Sequence, residues 1–377
     1  MKPHYRVVFL LSYTGGGHKA VADAIQSAMR IQYDNTACIE FDYVDVFQEY
    51  CIPPFNQAPS LYANMVNNTP YLWGLSYLIC NGRFRSQWAA WMLYQASRYK
   101  IDQLPHDHPA DVIISVHSII TRPSYWAFRR VAKDTPSVTV VTDLAKPPWF
   151  WYEPSVDYCF VPTEYAYDTA RRNGIAENRL SLVGLPVNPK FLTEQDDKTA
   201  LKADLGLEAD KRVVTIVSGG EGMGQLYQIV SALVQSDLDC YFLIICGTND
   251  RLRQQLEDEI SNPNVRIFGF VDMAQFLMLS DVLISKAGPS TIAEACVCGV
   301  PMIISGCVPG QEGGNADFVV DNHAGVYTEK PDEMIAYLKT WLSNDNILAT
   351  MSNNAKKLSH PDAVWKVSEK IWELLQQ

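Results

Sequence analysis

Short apolar runs alternate with amphipathic segments over most of the chain. After the first apolar run, for example, apolar residues recur at helical spacing at Ala20, Val21, Ala24, Ile25 and Ala28. Apolar runs without internal alternation are typical of parallel strands that helices cover on both faces. The pattern therefore predicts an α/β protein with doubly wound parallel sheets.

The apolar runs form two sets, separated by a segment that contains one glycine and two prolines, which interrupt periodic structure. We expect two Rossmann-like domains, residues 1–185 and 186–360, and a C-terminal helix at 361–377 that packs back on the first domain. The predicted strands are Arg6–Leu11, Cys38–Val44, Val112–Val116, Val138–Thr142 and Tyr158–Val161, then Val213–Val217, Tyr241–Cys246, Val265–Ile267, Val282–Ser285, Pro301–Ile304 and Gly325–Tyr327.

Length and composition agree with two globular domains. A chain of 377 residues exceeds the size of one hydrophobic core, and 47% hydrophobic residues suffice to bury two. No apolar stretch approaches the roughly 18 to 20 residues that cross a bilayer. The first apolar run leads into glycines instead of a cleavage site, so we interpret it as a strand and not as a signal peptide.

Charge and cysteine content exclude some functions. The formal net charge of −11 argues against nucleic-acid binding, which needs Lys and Arg at the phosphates. The nine cysteines show no paired metal-ligand spacing, so we expect reduced core thiols and a cytoplasmic protein. No DxD-type carboxylate pair follows a strand. We therefore expect neither a metal nor a cofactor.

One region departs from the acidic composition. Residues 50–101 contain no Asp or Glu, but they carry four cations and many aromatic side chains. This mixture suits the interface of an anionic bilayer, where the protein would bind peripherally. A helical insertion packed on its own domain would give the same composition. The residues expected at a membrane are Arg83, Arg85, Trp88 and Trp91.

A glycine-rich loop follows the first predicted strand. Gly16 and Gly17 stand directly before His18, at the start of a predicted helix. Glycines let the backbone approach a ligand closely, and free N–H groups at a helix start attract polar groups. The helix dipole disfavours the charged form of His18, which suits a neutral base. A simple cap or hydrogen-bond donor is the alternative role for this histidine.

Two further loops carry candidate diphosphate-binding groups. Gly220, Glu221, Gly222 and Met223 follow the first strand of the second set. Gly288, Pro289, Ser290 and Thr291 begin a later helix, where free N–H groups can hold a phosphate without a metal. Beyond them come side chains suited to ribose and sugar hydroxyls, namely Glu294, Gln311, Glu312 and Asn315.

Six motifs in fixed order carry a family resemblance. They are Thr14–His18, Val141–Leu144 with Trp149–Phe150, Gly184–Val187, Gly220–Gly224, Lys286–Pro289 with Thr291–Ala295, and Pro309–Glu312 with Gly314–Asn315. The set resembles the monogalactosyldiacylglycerol synthase and diacylglycerol glucosyltransferase family, relatives of the lipid II N-acetylglucosaminyltransferase. It implies a GT-B fold, in which two Rossmann-like domains face a crevice. It also implies inverting transfer from UDP-galactose or UDP-glucose to diacylglycerol at the cytoplasmic membrane face.

The resemblance also implies roles for individual residues. The uracil would lie at Phe270 and Val271, Glu294 would hold the ribose, and Gln311 with Glu312 would read the donor sugar. His18 matches the family's proposed base.

Several alternatives stay open. Asp143, at a strand's carboxyl end, could orient or replace His18, and His117 is either structural or functional. The segment after Asp143 is shorter than in plant-type synthases and lacks their histidine there. A UDP-N-acetylglucosamine 2-epimerase, a lipid-linked N-acetylglucosaminyltransferase and a non-catalytic UDP-sugar-binding module would use related architectures. A sterol or other lipid alcohol could also be the acceptor.

Overall fold

The computed structural model describes residues 2–13, 15–192, 198–217 and 226–377, without the side chains of Ala63 and Asn67. The chain forms two compact units. The first comprises Met1–Pro189, Pro309–Gln311 and His360–Gln377, and the second comprises Lys190–Val308 and Glu312–Ser359.

The first unit is built on a parallel sheet with the strand order β2-β1-β3-β4-β5-β6 over its described residues. Strands β3 and β4 are buried along their whole length, as expected of parallel strands that helices cover on both faces. The strands are β1 His4–Leu11, β2 Cys38–Asp45, β3 Val112–Ser115, β4 Ser137–Val140, β5 Tyr158–Val161 and β6 Leu180–Leu182.

The helices of the first unit include an insertion between β2 and β3. The helices are α1 Gly16–Tyr33, α2 Val46–Tyr50, α3 Ala58–Asn68, α4 Pro70–Cys80, α5 Arg83–Ile101, α6 Leu104–Asp107, α7 Ser118–Val131, α8 Glu164–Arg172 and, near the chain's end, α17 Ala363–Leu375. Helix α17 packs against α1, where the Trp372 ring stacks on Tyr33 with centroids 4.4 Å apart.

The second unit repeats this architecture with the strand order β12-β11-β10-β7-β8-β9, again parallel, over its described residues. The strands are β7 Arg212–Val217, β8 Cys240–Ile245, β9 Val265–Phe268, β10 Val282–Ser285, β11 Met302–Ile304 and β12 Gly325–Tyr327. The helices are α9 Lys198–Asp204, α10 Leu226–Val234, α11 Asp250–Glu259, α12 Met273–Leu279, α13 Pro289–Cys298, α14 Gly313–Asp321, α15 Pro331–Leu342 and α16 Asp345–Lys357.

The α/β fold class is confirmed, and every predicted strand is present with bounds that differ by at most two residues. Sequence analysis missed β6, because three residues with a central serine give no apolar run. The predicted interdomain segment, residues 183–189, belongs to the first unit. Gly184 has a φ of +89° there, and a Cβ on it would lie 2.2 Å from the Cβ of His360.

Candidate active site

The predicted catalytic residues lie at the carboxyl edge of the first sheet. His18 is in the first turn of α1, which follows β1, while His117 follows β3 and Asp143 follows β4. Because β1, β3 and β4 are neighbours in the sheet, these side chains come together, as expected for an open parallel sheet. All three residues line one cavity.

Hydrogen bonds define the orientation of His18. Its Nδ1 lies 2.8 Å from Oγ1 of Thr142, and that hydroxyl donates to the carbonyl of Val116 at 3.3 Å. Since the Thr142 hydroxyl has one proton, which goes to Val116, its oxygen accepts from Nδ1–H of His18. In this tautomer Nε2 keeps its lone pair and can accept a proton.

Burial keeps the histidines of the cavity neutral. It lowers the pKa of His18 to about 4, against a smaller upward effect of a hydrogen bond with the Val116 backbone. The pKa of His117 is lowered well below its usual value by burial and by His18, whose ring centroid is 4.6 Å away. His18 is therefore an unprotonated imidazole at neutral pH, and burial is the main cause.

Asp143 is positioned by a neighbouring indole. Nε1 of Trp151 donates to Oδ2 of Asp143 at 2.7 Å, and Trp151 is fully buried. The buried Arg122 supports this segment, because it donates to the carbonyl of Tyr152 and forms an ion pair with Glu153.

The loop between β1 and His18 is held by Asp45 at the end of β2. The Asp45 carboxylate accepts hydrogen bonds from the backbone N–H of Tyr13 at 2.9 Å and of Gln48 at 3.0 Å. Gly15 then adopts a φ of +100°, which favours glycine, and α1 begins at Gly16. A Cβ on Gly16 would meet no atom of the described residues within 4 Å.

The cavity has a volume of about 490 Å³, and all of its lining residues belong to the first unit. Its walls come mainly from α3, α4 and α5, and most of the side chains are apolar or aromatic. The lining residues are His18, Phe47, Pro54, Phe55, Ala58, Leu61, Tyr62, Met65, Trp73, Ser76, Tyr77, Cys80, Ala89, Leu93, His117, Ser118, Ile119, Asp143, Pro148, Phe150 and Gln311.

Gln311 joins the cavity because its segment packs closely on α4. A Cβ on Gly74 would lie 3.1 Å from both the Cβ and the carbonyl oxygen of Pro309, so a larger residue there would push the two segments apart by a few tenths of an ångström. Gly310 adopts a φ of +79°, and its Cα packs beside Gly74 and the ring of Tyr77. Thus the proline–glycine pair of the Pro309–Gln311 motif serves backbone geometry.

In the second unit, polar groups surround the start of α13. Gly288 is the residue before the helix, and Pro289 opens its first turn, where the backbone N–H groups of a helix have no intrahelical partner. Nζ of Lys286 and Oγ1 of Thr291 lie 3.5 and 3.8 Å from the position of a Cβ on Gly288. A cation, a hydroxyl and a helix N-terminus together suit an anion.

Glu294 lies near the ion pair of Lys190 and Asp272, whose Nζ and Oδ1 atoms are 2.7 Å apart. Burial raises the pKa of Glu294 to about 8, while Lys190 lowers it and Asp272 raises it further. Asp272 directly follows the predicted uracil site at Phe270 and Val271, and the Phe270 side chain is 82% exposed. The predicted ribose and uracil residues thus lie in one neighbourhood.

Glu312 and Asn315 have internal partners. Glu312 is buried, forms an ion pair with Lys286 and accepts from the backbone N–H of Val308 at 3.0 Å. Nδ2 of the buried Asn315 donates to the carbonyl of Ala287 at 3.0 Å. The sequence interpretation treated both as ligand-binding groups, but in this structure they hold the loops around α13.

Four predicted donor-site residues, Gly220, Glu221, Gly222 and Met223, lie outside the described residues. Among the described residues, no group of three or more His, Cys, Asp or Glu side chains could hold a metal ion. None of the helices described here is both long enough and apolar enough to cross a bilayer.

The residues predicted at a membrane lie on the outer face of α5. Arg83 and Arg85 are exposed, as are Trp88 at 63% and Trp91 at 49%. None of the four lines the cavity. Tyr94 on the same helix is buried, so α5 packs on the first unit through one face and leaves both tryptophans outside that contact.

Sequence reasoning missed the supporting residues of the site. Thr142 lies in a motif, Trp151 directly follows one, and Tyr77 lies in the aromatic stretch. Thr142 meets His18, which is 124 positions away, Trp151 meets Asp143 eight positions away, and Tyr77 lines the cavity because of the orientation of α4. The signal available in the sequence was the adjacency of Thr142 to Asp143. It does not indicate which side chain the hydroxyl meets.

Two family comparisons match the two halves of the chain. The monogalactosyldiacylglycerol (MGDG) synthase family matches residues 18–187, and the glycosyltransferase family 28 C-terminal domain matches residues 213–367. Monogalactosyldiacylglycerol synthase 3 of Arabidopsis thaliana is 33% identical over 384 residues, which cover 98% of this chain and 82% of that protein. The synthase of Spinacia oleracea is 32% identical, covering 99% and 73%.

Solved structures share the fold at low identity. MurG of Acinetobacter baumannii superposes with a TM-score of 0.58 at 16% identity, covering 98% of this chain and 99% of that one. The UDP-N-acetylglucosamine 2-epimerase of Neisseria meningitidis gives a TM-score of 0.61 at 14% identity, covering 98% and 100%.

Fold and site together define a GT-B enzyme, a glycosyltransferase of the UDP-sugar-dependent class. Within this class, the chain belongs to the monogalactosyldiacylglycerol synthase family. The family resemblance stated from the six motifs is thereby confirmed.

Proposed function

We propose that this enzyme transfers galactose from UDP-galactose to the free hydroxyl of diacylglycerol, with inversion, at the cytoplasmic face of a membrane. The observation that carries the proposal is the position of His18 and Asp143 in the wall of a mainly apolar cavity. The names of the Arabidopsis thaliana and Spinacia oleracea relatives support galactose and diacylglycerol as substrates.

The acceptor side of the reaction centres on His18. Its Nε2 removes the proton of the lipid hydroxyl while the hydroxyl oxygen forms a bond to C1 of galactose. The bond between C1 and the diphosphate oxygen breaks, and its electron pair leaves with UDP. Attack opposite to the leaving group inverts the configuration at C1. Asp143 stabilises the imidazolium electrostatically, since its carboxyl group lines the same cavity.

The donor side uses the start of α13. The backbone N–H groups in the first turn of α13, the hydroxyl of Thr291 and the ammonium of Lys286 stabilise the negative charge that develops on the diphosphate. Glu294 accepts hydrogen bonds from the ribose diol. The uracil binds at Phe270 and Val271.

Gln311 is the residue we assign to the donor sugar. The neighbouring Glu312 is buried and ion-paired with Lys286, so it acts by fixing the backbone next to Gln311 instead of touching the sugar. Oε1 of Gln311 is buried without a hydrogen-bond partner among the described residues, which leaves it available to a ligand hydroxyl.

Membrane contact uses the exposed faces of α4 and α5. On α4, Leu75 and Leu78 are exposed while Trp73 and Tyr77 line the cavity, so this helix has an apolar side on both faces. The exposed face of α5 carries Phe84, Trp88, Trp91 and Tyr99 at helical spacing. Apolar side chains flanked by cations suit an anionic bilayer surface.

The donor sugar tests this proposal first. UDP-galactose, UDP-glucose and UDP-N-acetylglucosamine are each supplied with dioleoylglycerol in phosphatidylglycerol-containing vesicles, and the lipid products are resolved by mass spectrometry. We expect hexosyl diacylglycerol, with UDP-galactose the preferred donor. Preference for UDP-N-acetylglucosamine, or formation of its epimer without a lipid product, would favour the alternative enzymes.

A further inference from the structure

The cavity beside His18 separates polar from apolar groups. His18, His117 and Asp143 lie where the strands of the first sheet end. The wall formed by α3 and α5 contributes Ala58, Leu61, Met65, Ala89 and Leu93. A ligand with one hydroxyl and a long apolar chain matches this division. Burial of the chain against the apolar wall is favourable because it removes apolar surface from water, and the hydroxyl then lies beside His18.

The volume of the cavity limits how much of a lipid enters it. A methylene group takes about the space of a liquid water molecule, roughly 30 Å³, so 490 Å³ holds on the order of fifteen methylene groups. That is one long acyl chain. The second chain of a diacylglycerol then has to stay in the membrane, beside the exposed apolar face of α4.

We propose that this cavity binds one acyl chain of the acceptor lipid and that Ala89 sets how far the chain can enter. The inference rests on the proposed function, because it takes diacylglycerol as the acceptor. Ala89 lines the cavity from α5, one helical turn before Leu93, and its methyl group leaves space that a larger side chain would fill. Ala90, its neighbour, is fully buried in the unit's core instead.

The same helix offers a matched control. Ala96 is exposed and does not line the cavity. Alanine to phenylalanine at either position costs a similar amount of helix propensity. Only Ala89→Phe takes volume from the cavity, so a difference between the two variants reports the cavity and not the helix.

The experiment compares dioctanoylglycerol with dioleoylglycerol in mixed micelles of one detergent, at equal mole fraction. For Ala89→Phe we expect kcat/KM with dioleoylglycerol to fall roughly tenfold relative to dioctanoylglycerol, the effect of excluding about two methylene groups. Ala96→Phe and the wild type should show equal preferences. Ala89→Val, with a smaller side chain, should give a smaller shift in the same direction.

The outcomes separate the acyl-chain proposal from the proposed function. If Ala89→Phe and Ala89→Val both keep the wild-type preference between the two acceptors, the cavity does not select the acyl chain. The same conclusion follows if Ala89→Phe lowers kcat/KM equally for both acceptors while its thermal unfolding and its UDP affinity stay normal. If the wild type glycosylates neither diacylglycerol, the proposed function itself fails. If Ala89→Phe has a lowered unfolding temperature, the preference of Ala89→Val between the two acceptors decides whether the cavity selects the acyl chain.

Discussion

Among the single residues, His18 shows how a main-chain carbonyl fixes a reactive tautomer through one hydroxyl group. The carbonyl of Val116 accepts a hydrogen bond from the Thr142 hydroxyl, and the oxygen of that hydroxyl accepts one from Nδ1–H of His18. Nε2 of His18 therefore remains basic. Burial at the same time lowers the pKa of His18 to about 4, so its protonation does not compete with catalysis near neutral pH.

The first prediction concerns the base. His18→Gln should leave UDP-galactose affinity nearly unchanged and lower kcat roughly 10²- to 10⁴-fold, the usual contribution of a general base. In the wild type, the acid limb of kcat/KM should begin near the lowered pKa of about 4 and not near 6.5, because only the neutral imidazole accepts a proton. Near-normal turnover of His18→Gln would transfer the role to Asp143.

The second prediction concerns Thr142 as a positioning residue. Thr142→Val should lower kcat about tenfold, as expected from losing one hydrogen bond of about 1.4 kcal/mol, while Thr142→Ser restores it. The double variant with His18→Gln should be no slower than His18→Gln alone, because Thr142 acts through His18. Additive losses in steady-state kinetics would assign Thr142 an independent structural role.

The third prediction follows from the raised pKa of Glu294, about 8 without ligand. The ribose diol donates two hydrogen bonds, so it binds the ionised carboxylate, of which about a tenth is present one pH unit below the pKa. Affinity for UDP-galactose should therefore rise about tenfold between pH 7 and pH 9 and level off above. Calorimetric titration measures this, and Glu294→Gln should bind more weakly at a pH-independent level. An equal pH dependence in both proteins contradicts the assignment.

Among the helices, α4 and α5 are the ones whose side-chain orientation the sequence predicted least completely. Composition marked residues 50–101 as unusual, but it could not say which aromatic side chains face outwards. That depends on the angle at which each helix packs on the sheet. The apolar residues of α4 divide between cavity and surface, and a helix without charges gives no polar face from which to predict the division.

The fourth prediction tests the outer face of α5. Replacing Arg83 and Arg85 by Gln should weaken binding to phosphatidylglycerol-containing vesicles by about 2 kcal/mol, roughly 1 kcal/mol per cation, with little effect on neutral vesicles. Replacing Trp88 and Trp91 by Gln should weaken both. Arg98→Gln is the control, because this arginine is already ion-paired on the same helix. Co-sedimentation at low and high salt measures the affinities, and binding indifferent to anionic lipid would contradict a membrane role.

For the molecule as a whole, the sequence was sufficient to predict the two parallel sheets and the family, since apolar runs and ordered glycine motifs are local signals. The cavity was not predictable, because its walls combine three inserted helices with strand ends and with Pro309–Gln311 from a distant part of the chain. The ion pair of Glu312 was not predictable for a similar reason. A carboxylate in a motif looks the same whether it meets a sugar or, as here, Lys286.

The central claim is inverting transfer of galactose to a diacylglycerol hydroxyl. Its most direct test is the structure of the product formed from isotopically labelled UDP-galactose and dioleoylglycerol in anionic vesicles, determined by NMR. Because the sugar is α-linked in the donor, inversion at C1 should give a β-galactoside on the formerly free glycerol hydroxyl. An α-galactoside, or free galactose with unmodified diacylglycerol, would contradict it.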